Sequence, residues 1–207
     1  MSFSDVVRSS AIRRYLAIVL ALAGLLLLPG CWVTSINPLY EEGLASKDPD
    51  VVFDASLIGS WIAIGDKCAA PLTITATKDG YDLQSTRTSE DEGCKDDKPW
   101  HYQGRLVKLD SHYFLDVAPM ADAVCDMCFA KHNIFLAKLD KTTLSITPID
   151  SDWLKKSIAA KTVTLATLGD DIDTITASSK ELKAFCRRFA GDMAVFRPES
   201  TSTFKRN

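Results

Sequence analysis

Beyond residue 57 the apolar and polar positions alternate in short runs instead of recurring at the three-to-four spacing of helices. The pattern predicts strands over residues 60–64, 72–77, 81–86, 100–109, 113–117, 133–139, 143–147, 162–168 and 172–176. Pro71, Asp79-Gly80, Asp110-Ser111 and Asp140-Lys141 punctuate them, and Asp-Gly is a strong hairpin signal. In the run from Trp100 to Leu109, His101, Gln103, Arg105 and Lys108 fall among Tyr102, Leu106, Val107 and Leu109, roughly the alternation of a half-buried strand. Hairpins following one another at this spacing predict a mainly β chain, an antiparallel up-and-down β-barrel or else a sandwich.

Two helices interrupt the strands. Asp150 can cap a short one from Ser151 to about Ala160, with Trp153, Leu154 and Ile158 towards the core. Ser178 and Glu181 form a capping box for a C-terminal helix, along which Leu182, Phe185, Cys186 and Phe189 recur at helical spacing. Gly191 lies just past its end, where a left-handed stop is least strained. The apolar stripe predicts packing on the barrel, not a cofactor box.

The first thirty residues follow a different rule. Arg8, Arg13 and Arg14 precede an uncharged run over residues 15–28, and Leu28-Pro29-Gly30-Cys31 closes it. A positive head, a short apolar core and a small residue before the cut are the parts of an export signal. A run of 14 residues falls short of the roughly 20 that a bilayer span needs. The tetrapeptide resembles the lipobox of bacterial lipoproteins. That resemblance implies cleavage between Gly30 and Cys31, lipidation of the Cys31 thiol, and a mature protein held on a membrane of the cell envelope. Trp32, where an Asp would direct retention at the inner membrane, implies the outer one.

The chain then divides into a signal peptide (1–30), a lipidated N-terminus and tether (31–56) and a barrel domain (57–207). Asn37-Pro38, Glu41-Glu42-Gly43 and Lys47-Asp48-Pro49-Asp50 are turn signals suited to a tether. Trp32, Ile36, Leu39 and Tyr40 would equally suit an ordered arm. Removal of residues 1–30 takes away three Arg and one Asp, so the net charge moves from -3 to -5 over the remaining 177 residues. A mildly acidic chain without a Lys/Arg cluster excludes phosphate-rich partners such as nucleic acid.

Gly59-Ser60-Trp61 opens the first predicted strand and resembles the Gly-X-Trp signature of lipocalins. In that family the Trp plugs the closed end of an eight-stranded barrel and a late helix follows the strands, so the resemblance implies a lipocalin-like barrel started by Gly59 and Trp61. The Arg that stacks over this Trp in the family has no assignable counterpart in the sequence. Asn37-Pro38-Leu39-Tyr40, the Gly-X-Trp start and the Ile-Thr-Ala-Ser cap of the last helix are also similar to a group of bacterial envelope lipoproteins. That second resemblance implies no molecular role.

With Cys31 committed to lipid, Cys68, Cys94, Cys125, Cys128 and Cys186 remain. An exported protein meets an oxidising compartment, so disulfides are expected: Cys68 with Cys94, and a Cys125–Cys128 ring or one of these with Cys186. An odd number leaves at least one thiol free, and Cys186 on the apolar helix face is the simplest candidate. Cys125-X-X-Cys128 lacks the βαβ surroundings of a redox motif and the following His of haem attachment. As a zinc site it has only His132 as a near third ligand. His101, His112 and His132 lie in or beside strands, as polar face residues do, and residues 89–97 read as a solvated acidic loop. No hydrolase or P-loop motif is present.

These readings predict no catalytic residue, metal or cofactor. They predict a membrane-anchored binding module for a small apolar ligand or an envelope partner. The alternatives are a solid-cored structural lipoprotein and, less favoured, a thiol redox or metal-handling protein using Cys125 and Cys128.

Overall fold

The computed structural model describes residues 32–41, 43, 47–65, 71–85, 100–120, 131–169 and 171–207. Gly30 and Cys31, the candidate disulfide residues Cys68, Cys94, Cys125 and Cys128, and the acidic stretch 89–97 lie outside them.

The fold is mainly β, a closed eight-stranded antiparallel barrel with two helices. The first two strands are short pieces of the N-terminal arm, β1 (Thr34–Ser35) and β2 (Val51–Val52). Strands β3 (Gly59–Ala63), β4 (Leu72–Thr77), β5 (Gly80–Ser85), β6 (Trp100–Leu109), β7 (His112–Pro119), β8 (His132–Leu139) and β9 (Thr143–Pro148) then pair in succession. After helix α1 (Ser151–Ala159), β10 (Thr167–Leu168), β11 (Asp171–Ile175) and helix α2 (Ser179–Phe189), β12 (Ser202–Arg206) enters between β3 and β9. Pairing of β8 with β9 closes the ring.

Three expectations need correction. The alternation makes residues 162–168 and 172–176 further members of the strand series. The first yields only β10, and β11 lies beside β1, outside the ring. The eighth ring strand is β12, whose polar Ser-Thr-Phe-Lys-Arg offers a single apolar position and therefore no alternation to detect. The C-terminal helix is present as expected, with this strand following it. It ends through Ala190 in helical conformation, without a left-handed Gly191.

Both helix starts follow the sequence. The Asp150 carboxylate accepts from the Trp153 amide at 2.6 Å, and Ser178 with Glu181 makes the reciprocal capping box. The left-handed Asp110 (φ 55°) makes the β6–β7 turn, a conformation Asp tolerates better than most residues.

The barrel wall is apolar on both faces. Leu106, Leu115, Val117, Phe135 and Ala137 point inward with Trp61, Tyr81 and Leu83. Val107, Leu109, Phe114, Ile134 and Leu136 point outward beneath Leu154, Leu182, Phe185 and the arm residues Val33, Leu39 and Tyr40. Helices therefore buttress strands β6 to β8 from outside, which explains why those strands read as near-continuous apolar runs.

The arm is ordered where it is described. Thr34 and Ser35 pair with Asn133 and His132 on one side and with Thr174 and Ile175 on the other. The Leu39 amide donates to Asp116 at 2.6 Å, and Lys183 on α2 grips Asp48 and Asp50 at 2.8 and 2.7 Å.

Candidate functional site

One end of the barrel is closed by a plug. Trp61 is fully buried, and its indole N–H donates to the Leu57 carbonyl at 2.9 Å. The Arg206 guanidinium lies 4.3 Å from the Trp61 ring centroid. It donates to the carbonyls of Ile58, at 2.8 Å, and Ser56. This also explains the glycine of Gly-X-Trp. Gly59 has φ +144°, and a Cβ there would stand 2.6 Å from the Arg206 guanidinium. Gly59, Trp61 and Arg206 are thus one unit, of which the sequence disclosed two. Arg206 comes from the last ring strand, where no local pattern marks it.

Below the plug, the Tyr81 hydroxyl accepts from the Asp54 amide at 2.6 Å, and Phe53 stacks on its ring. Burial raises the Tyr81 pKa, the Asp54 hydrogen bond opposing. Segment 53–58 is the lid of this end.

Among the described residues, the other half of the barrel interior holds a pocket. An apolar cavity of about 280 Å³ is walled by Leu72 and Leu83, by Leu115 and Val117, and by Phe135, Leu144, Ile146 and Phe204. Among the described residues, Tyr102 and Asn133 are the side chains with polar atoms that line it below the rim. At its rim stand Trp32 and Trp100, 59% and 40% exposed, so this is where the cavity opens. Trp32 meets Phe135 edge-on at 5.4 Å, and Trp100 meets Tyr102 in the same way. No local pattern shows that Trp32, next to the candidate anchor, reaches into the barrel.

The three histidines sit elsewhere. His101 contacts Asp82 on the outer wall, and His112 lies 3.4 Å from the Ser111 hydroxyl. His132 Nδ1 is 2.6 Å from Asp116, whose other oxygen holds the Leu39 amide. This buried pair ties the arm to the barrel. Cys186 is buried and unbonded, and burial, with the Asp116 charge adding, pushes its thiol pKa well up. It is held as a neutral thiol, the opposite of an activated nucleophile.

Among the described residues, no group of three His, Cys, Asp or Glu side chains is placed to hold a metal, and no helix is long and apolar enough to cross a membrane. No family model, curated protein or solved structure matches the chain.

Proposed function

We propose that this protein is a lipid-anchored envelope protein, attached through Cys31, whose lipocalin-like barrel carries a small apolar ligand. The observation that carries the reading is the open, apolar half of the barrel. A void of about 280 Å³ far exceeds the water-sized gaps of an ordinary core. It lies just below the roughly 300–1,000 Å³ of small-molecule sites, with few polar groups among its described lining residues to orient a ligand. The cavity speaks against the alternative of a solid-cored structural lipoprotein. The lipocalin-like assignment is supported by the Gly59–Trp61–Arg206 plug, and the anchor by the Leu28-Pro29-Gly30-Cys31 motif.

The test is titration of the full chain, in detergent, with the apolar fluorophore N-phenyl-1-naphthylamine. Saturable one-to-one binding is expected. Val117→Trp, which fills the cavity from its wall, should weaken it at least tenfold while the thermal melt stays cooperative. No binding, or equal binding by the filled variant, would sink the carrier reading.

A further inference from the structure

The arm that leads to the candidate anchor is fastened at the cavity mouth. Trp32 lines the rim, β1 bonds to the first residues of β8, and Asn37 Nδ2 donates to the Ala177 carbonyl at 2.9 Å. A group attached to residue 31 is therefore one peptide unit, about 3.8 Å from Cα to Cα, from a side chain that lines the opening.

Resting on the carrier reading above, we infer that the mouth of this barrel is a membrane-facing surface. Its rim lies on the bilayer that holds the anchor, and the cavity loads from that bilayer. Two further observations point the same way. The rim carries the exposed tryptophans Trp32 and Trp100, and Trp is the side chain that settles at the boundary between acyl chains and headgroups. The cavity also has the size for part of one chain. At about 280 Å³ it is roughly twice the ~150 Å³ apolar cavity that holds benzene. One acyl chain enters part of the way; a two-tailed lipid does not. Asn133, half-buried at the mouth, would face the polar end of such a chain.

The experiment uses the lipidated full chain in vesicles of phosphatidylethanolamine and phosphatidylglycerol, with phospholipid brominated high on its acyl chains as a contact quencher of tryptophan. Two of the four tryptophans, Trp32 and Trp100, are at the rim, so emission should fall by up to half. The double variant Trp32→Phe/Trp100→Phe should lose the quenching, and Trp153→Phe, on α1, should keep it. A Gly/Ser spacer of about twenty residues after Cys31, reaching about 25 Å, should weaken it. Quenching that survives in the double variant, or that the spacer leaves unchanged, overturns the inference. If quenching is absent while naphthylamine binding in detergent persists, only the membrane-facing mouth fails. If both are absent, the carrier reading fails with it.

Discussion

Arg206→Met tests whether the barrel's closed end is held by one guanidinium. The substitution keeps the stem that covers Trp61 and removes the charge and its donors. The stacking at 4.3 Å is worth about 1 kcal/mol at a partly buried site. The hydrogen bond to Ile58 from a charged donor adds about 1.5 kcal/mol, and the more exposed one to Ser56 about 0.5 kcal/mol. The backbone pairing of β12 with β3 is untouched, so about 3 kcal/mol should be lost. For a domain of this size that is a fall of about 6–12 °C in Tm. Urea unfolding followed by near-UV circular dichroism, which reports the Trp61 environment, measures it directly. Arg206→Lys keeps the charge but not the fork, and should lose about half as much. Gly59→Ala should be costly in the parent, because its Cβ meets the guanidinium at 2.6 Å. It should cost about 1 kcal/mol less in the Arg206→Met background, since contacting residues couple. A loss under about 1 kcal/mol for Arg206→Met, or strict additivity with Gly59→Ala, would refute the account of the plug.

Two further outcomes follow from the arm. Lys183→Met should cost about 3 kcal/mol by urea unfolding, because it leaves the buried Asp48 without its cation, while Asp50 keeps Arg187 at 3.0 Å. Burial alone would raise Asp48, but the Lys183 ammonium and the Glu41 and Asp50 amides hold it below the ordinary carboxylate range. Burial likewise works against the Lys183 charge, and the two carboxylates hold its pKa above the ordinary value. The contribution of the pair is therefore complete between about pH 5 and 10. It fades in acid as Asp48 titrates through its lowered pKa, and in alkali as Lys183 titrates through its raised one. A difference between parent and variant that grew towards either extreme would contradict this. Asp116→Ala should cost about 2 kcal/mol by stranding the buried Leu39 amide, with faster hydrogen exchange at Leu39 as the local readout. Unchanged exchange there would remove Asp116 from its role as fastener of the arm.

The meander from residue 59 to 148 was legible because each strand there carries its own alternation and its own turn chemistry. The helix caps were legible for the same local reason, since a cap and its partner stand three residues apart. What escaped was set by long-range pairing. β12 has one apolar side chain and becomes a strand only because β3 and β9 leave a gap of its width. Residues 162–168 look like a strand because Val163 and Leu165 are buried, yet they are buried under the helices, not in the ring. The candidate site divides likewise. Gly59 and Trp61 form a local motif, whereas Arg206 reaches them across 148 positions to Ile58. The cavity depends on which inward side chains fail to meet, and no spacing in a sequence records that.

The pocket inside the barrel carries an energetic argument of its own. Were it sealed, a void of about 280 Å³ would forgo up to about 7 kcal/mol relative to a filled core, at about 24 cal/mol per Å³. That upper bound rivals the whole net stability of an ordinary domain, about 5–15 kcal/mol. Larger side chains at Leu115 or Val117 would fill the space from the wall, so the emptiness is not forced by topology. The chain offsets it from outside. Among the described residues, the buried cluster between the outer wall, the arm and the two helices holds twenty residues, against twelve inside the barrel. Buttressing β6, β7 and β8 from behind lets their inner faces stay under-filled without the wall collapsing inward. Among the described residues, the barrel is thus stabilised more from its outer face than from its inner one.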